Sequence, residues 1–120
     1  MSKTILIVDD SASIRQVVTL TLEGAGYEVI SAEDGVDGLS KLDGKKIHLI
    51  VSDVNMPNMD GLTFVGKAKQ MEEYKFTPVL MLTTESSPEL KAKGKEAGAK
   101  AWLVKPFKPD LLLGAISKLT

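Results

Sequence analysis

The sequence predicts an α/β domain: a doubly wound, five-stranded parallel sheet with helices on both faces. Two observations predict it. Short apolar runs recur along the 120 residues, most of them without in–out alternation, as in strands covered on both faces. Their centres, near residues 6, 29, 50, 80 and 103, lie 21 to 30 residues apart, enough for the dozen or more residues of a parallel crossover. With 43% hydrophobic residues, one domain over 1–120 can close a core of its own.

The elements follow in order. Ile5 to Val8 is the first strand, cut off by Asp9 and Asp10. Ile14, Val17, Val18, Thr21, Leu22 and Ala25 recur at spacings of three and four, one face of a helix that Gly26 ends. Tyr27, Val29 and Ile30, with Glu28 between, form a weaker run suited to an edge strand. A short second helix near Val36 and Leu39 fits between Asp34-Gly35 and Gly44. The third strand is Leu49 to Val51, and Asp60-Gly61 opens a helix bearing Leu62, Val65, Ala68 and Met71. Val79 to Leu82 is the fourth strand; Ser87-Pro88-Glu89 then reads as N-cap, first-turn proline and first-turn acid. Trp102 to Val104 is the fifth strand, and Pro109 and Asp110 open a last helix carrying Leu112, Ile116 and Leu119.

Composition removes several function classes. There is no cysteine, hence no disulfide framework and no thiolate-held zinc or iron–sulfur centre. A net charge of −1 gives no broad basic field for nucleic acid or anionic membrane. No apolar run approaches the roughly 20 residues that span a bilayer, and Met1 to Val8 is not a signal peptide. The expectation is a cytoplasmic, monomeric, soluble domain.

Ligands of doubly wound sheets bind at the carboxyl ends of the strands. Here Asp9 and Asp10 follow the first strand, Asp53 the third, Thr83 ends the fourth and Lys105 the fifth. Singly, each has a plain structural reading, such as an aspartate capping the next helix. Together they do not. If the first and third strands are neighbours, about 4.8 Å apart, each carboxylate pair repels by roughly 3 kcal/mol. A small domain does not keep that idle. Oxygen-only donors point to a hard ion such as Mg²⁺. A Mg²⁺ beside carboxylates, a lysine and a hydroxyl makes a phosphoryl-transfer site. Asp53 then serves as nucleophile, Asp9, Asp10 and the Asn55 backbone carbonyl join it around Mg²⁺, and Thr83 and Lys105 bind phosphoryl oxygens.

These residues resemble the receiver domain of two-component response regulators, over essentially the whole chain. The resemblance rests on Asp9-Asp10 after Ile-Leu-Ile-Val, Asp53-Val-Asn-Met-Pro-Asn-Met-Asp-Gly61, Thr83, and Lys105-Pro106-Phe107. Within the family the chain is most similar to the stand-alone chemotaxis type. The resemblance implies a flavodoxin-like strand order 2-1-3-4-5, a cis Lys105–Pro106 bond, and phosphoryl transfer from a histidine kinase to Asp53 with Mg²⁺. It implies a switch in which Thr83 moves inward and the aromatic at position 102 changes rotamer. The face of the fourth helix, fifth strand and fifth helix is thereby remodelled for a partner. The protein is then a switch that acts by binding, not an enzyme, with a phosphatase as a further partner.

Three positions depart from the family pattern. Trp102 is larger than the tyrosine, phenylalanine or histidine usual there, which weighs against a full inward swing. Thr84 replaces a commonly small residue. The fourth helix carries Pro88, Lys91 and Lys95, where a flagellar-switch partner calls for small and apolar residues. Residues 87–108 hold six lysines against two acids, and residues 9–60 ten acids against four bases. The chain is electrically polarised, which favours an acidic protein target over the flagellar switch. A phosphate sink without output partner is the alternative. A small aspartyl phosphatase ranks lower and flavin binding lower still. Asn55 and Glu85 flank the attack path and are candidates for tuning hydrolysis. His48, the only histidine, reads as a structural residue.

Overall fold

The computed structural model describes residues 3–120; Met1 and Ser2 lie outside them. Ten elements alternate along the chain: β1 (Thr4–Val8), α1 (Ala12–Gly24), β2 (Glu28–Ala32), α2 (Gly35–Lys41), β3 (Leu49–Ser52), α3 (Gly61–Gln70), β4 (Val79–Thr83), α4 (Pro88–Ala97), β5 (Ala101–Val104) and α5 (Pro109–Leu119). All strand pairs are parallel, in the order β2-β1-β3-β4-β5. The expected architecture and strand order are both present. β2 is an edge strand, as its weak apolar run implied.

The absence of alternation in the central strands has its physical cause in two cores. Ile5, Ile7, Leu49, Val51, Leu80 and Leu82 face one side, where Val18 and Leu22 of α1 and Leu112 and Ile116 of α5 cover them. Leu6, Val8, Ile50, Val79 and Met81 face the other, against Phe64, Val65 and Ala68 of α3. Every residue of β3 and β4 is buried.

One helix face needs correction. The spacing puts Val17 on the core side of α1, yet it is 49% exposed. At about 100° per residue, the buried row runs Ile14, Val18, Leu22, and Val17 stands a full step off that row. Ala25 is the C-cap and also exposed. The largest core residue of α3, Phe64, was not among the expected apolar positions. It packs over Gly38, where a Cβ would lie 2.8 Å from its ring.

The carboxyl edge is shaped by tight turns. Gly61 N–H donates to the Val54 carbonyl at 2.7 Å, and a Cβ on Gly61 would collide with the Asp53 carbonyl oxygen. Only glycine permits this return of the chain, which holds the main chain of residue 53 in place. The Lys105–Pro106 bond is cis, as expected.

Candidate functional site

Adjacent strands bring the aspartates together. Val8 of β1 pairs with Ser52 of β3, so Asp9 and Asp53 emerge side by side. Neither is used as a helix cap. Ser11 caps α1 by accepting the Ile14 N–H, and Asp60 caps α3 by accepting the Thr63 N–H at 2.8 Å. The carboxylates of Asp9, Asp10 and Asp53 each offer an oxygen, all within 4.8 Å of one another. Asp9 and Asp53 are buried, whereas Asp10 is exposed.

Lys105 arrives from the end of β5. Its Nζ donates to Asp9 Oδ2 at 2.7 Å and to Asp53 Oδ2 at 2.9 Å. The bare-carboxylate repulsion expected from sequence is therefore partly relieved, because the ammonium lies between two of the three acids. The other oxygens are held as well: Asp9 Oδ1 accepts the Ser11 N–H at 2.9 Å, and Asp53 Oδ1 the Val54 N–H at 2.6 Å.

Burial pushes the Asp9 carboxyl above the usual carboxylate range, against the hydrogen bond and charge of Lys105; the Asp53 charge adds to the rise. Burial alone would lower Lys105, but its hydrogen bonds to Asp9 and Asp53 and their charges outweigh that and raise it. One ammonium against three carboxylates leaves a net negative, all-oxygen cluster. That donor set fits a hard divalent cation.

The remaining expected residues meet at Glu85. Thr83 is fully buried at the end of β4, and its hydroxyl accepts the Glu85 N–H at 3.3 Å. The Glu85 carboxylate accepts from Asn55 Nδ2 at 2.7 Å, and its carbonyl accepts from the Trp102 indole Nε1 at 2.8 Å. Trp102 is half-buried beside α4, and a Cβ on Gly94 would come within 2.7 Å of its ring. Thr84 is exposed.

Three further contacts brace the loops around the rim. Arg15 Nη1 donates to the Asp9 carbonyl at 2.6 Å, Ser52 Oγ to the Asp53 carbonyl at 2.9 Å, and Asn58 Nδ2 to Asp34 Oδ2 at 2.7 Å. Each joins a side chain to a partner that periodicity cannot identify. His48 Nδ1 accepts the Thr4 N–H at 2.9 Å, in keeping with a structural role.

Residues 5–117 match the family model of the response regulator receiver domain. The chain belongs to that family. It is 51% identical to the chemotaxis protein CheY4 of Vibrio cholerae, whose crystal structure superposes with a TM-score of 0.96 over all of both chains. It is 38% identical over 110 residues to the chemotaxis protein CheY1 of Helicobacter pylori, covering 90% of this chain and 89% of that one. The receiver domain of a sensor histidine kinase from Pseudomonas aeruginosa, 24% identical, shares the fold with a TM-score of 0.91 over 99% of this chain and 98% of that one. That structure has a magnesium ion coordinated in its active-site cleft. The chain is thus a chemotaxis-type receiver, a class of signalling switches rather than enzymes. Receivers work with histidine kinases and downstream targets and bind Mg²⁺ at an acidic site, and the same kind of acidic cluster stands here. Among the described residues no helix is long and apolar enough to cross a membrane.

Proposed function

We propose that this single receiver domain takes a phosphoryl group on Asp53 from the phosphohistidine of a histidine kinase, and that the event switches its α4–β5–α5 face. One observation carries the reading: Lys105 Nζ bridges Asp9 and Asp53, with Asp10 completing an all-oxygen cluster. Asp9, Asp10, Asp53 and the Asn55 carbonyl would hold Mg²⁺. The ion supplies charge neutralisation for an anionic nucleophile and an anionic donor.

In the transfer, an Asp53 carboxylate oxygen attacks phosphorus. The phosphorus–nitrogen bond breaks, and its electron pair returns to the imidazole. Lys105 is already within hydrogen-bond reach of Asp53, so a small rotation moves its ammonium onto a phosphoryl oxygen. The Thr83 hydroxyl binds another after giving up the Glu85 N–H. Asn55 and Glu85, joined across the mouth, tune the access of hydrolytic water.

On the output side, Lys91, Lys95 and Lys100 line a groove of about 480 Å³ with Gly98, Ala99, Ala101 and Trp102. That chemistry suits an acidic protein target better than an apolar motor peptide. The same lysines keep a second reading alive, a phosphate sink without output partner. It requires rapid loss of the phosphoryl group and no phosphorylation-dependent partner.

Incubation with acetyl phosphate and Mg²⁺, followed by mass spectrometry, tests the reading. Wild type gains one phosphoryl group that hydroxylamine removes, and Asp53→Asn gains none. An equal gain in both variants refutes it. Millimolar Mg²⁺ also raises the melting temperature by linkage, and Asp10→Ala abolishes that rise.

A further inference from the structure

The loop from β3 to α3 carries Asn55, and its far end folds back onto the start of α2. Asn58 has φ 67°, a left-handed conformation that asparagine adopts more readily than most residues but still at a cost. Its Nδ2 donates to Asp34 Oδ2 at 2.7 Å, while Asp34 Oδ1 accepts the Asp37 N–H at 2.8 Å as the cap of α2. Asp34 is only 7% exposed. The Asp37 N–H first, and the Asn58 amide second, hold its carboxyl below the usual range.

Capping explains one oxygen of Asp34, and asparagine or serine would supply that equally well. The second oxygen is committed to the loop. Met59 adds a further pin, since a Cβ on Gly35 would lie 2.9 Å from its side chain and carbonyl. The loop is therefore fixed at 58 and 59 against 34 and 35, three residues beyond Asn55.

We infer that Asp34 is a positioning residue for the cation site: by latching Asn58 in its left-handed conformation, it fixes the path of residues 54–58 and so the aim of the Asn55 carbonyl. The inference rests on the reading that this carbonyl is a Mg²⁺ ligand. Partners that orient metal ligands commonly matter about 10- to 100-fold in metal affinity.

The test exchanges the two members. Asn58→Asp sets two carboxylates against each other and leaves the α2 cap intact. The double variant Asp34→Asn with Asn58→Asp restores both bonds, with the amide now donating from residue 34. Asn58→Gly removes the latch without charge and keeps the left-handed backbone accessible.

Mg²⁺ is titrated by calorimetry, and hydrogen exchange is followed at amides 54–59 in metal-free protein. Asn58→Asp, despite its extra negative charge, weakens Mg²⁺ by about tenfold and speeds exchange. Asn58→Gly moves both readouts in the same direction, and the swap returns both to wild type. Unchanged or tighter Mg²⁺ binding in Asn58→Asp, or a swap that fails to restore it, overturns the inference. Absence of Mg²⁺ binding by wild type overturns the metal reading instead, and unchanged exchange then overturns the latch as well.

Discussion

The acidic rim and the lysine-lined face, which meet at Glu85, are built on opposite principles. At the rim, Asp9, Asp53 and Thr83 are buried, and individual oxygens have assigned donors. On the other face Lys91, Lys93 and Lys95 stand exposed on α4, and among the described residues no side-chain hydrogen bond or ion pair holds their ammonium groups. The first region depends on particular atoms and the second on summed charge. A substitution should therefore be costly and specific at the rim, and mild and graded on the lysine face.

The largest break should come from Lys105→Met. Removing the ammonium leaves two buried carboxylates facing each other, a change of the kind that costs about 3–5 kcal/mol. The melting temperature of metal-free protein falls by more than for any lysine on α4, and Mg²⁺ restores a larger share of stability than in wild type. Gly94→Ala comes next. Its methyl group meets the Trp102 ring, so overpacking of about 1–3 kcal/mol follows. Trp102, the only tryptophan, then shifts its fluorescence as the indole leaves the Glu85 carbonyl.

Asp9→Asn sharpens the comparison through pH. Because burial raises the folded carboxyl, the unfolded chain ionises first. The favourable contribution of protonated Asp9 is complete below the ordinary carboxylate value and lost as pH rises through the raised one. Metal-free Asp9→Asn therefore melts above wild type at neutral pH, and the gain shrinks toward acid. Melting curves between about pH 4 and pH 8, with chelator present, check this. Asp34 runs the other way: its lowered carboxyl adds stability above the ordinary value, lost as pH falls through the lowered one. The smallest effect belongs to Lys91→Gln with Lys95→Gln. Stability stays within about 0.5 kcal/mol, while binding of a glutamate-rich peptide weakens and becomes less sensitive to salt.

The fold was legible because buried parallel strands leave an unbroken apolar signature, as in Leu49–Val51 and Val79–Leu82. The rim was legible because five charged or hydroxyl side chains stand at four strand ends. What stayed hidden depends on direction. Val17 shares the spacing of core residues but sits a step off the buried row, and spacing alone does not fix the width of a stripe. Lys105 was legible as a cation, yet nothing in the sequence says that it bridges Asp9 to Asp53. The Asp34–Asn58 bond joins residues 24 apart through a left-handed turn, which no periodic pattern encodes.

Glu85 offers its amide to Thr83, its carbonyl to Trp102 and its carboxylate to Asn55. A single residue is thus common property of the two regions, and thermodynamics makes the traffic through it reciprocal. On the proposed function, whatever preference phosphorylation imposes on the docking of a target, that target returns by the same factor to the equilibrium holding the phosphoryl group.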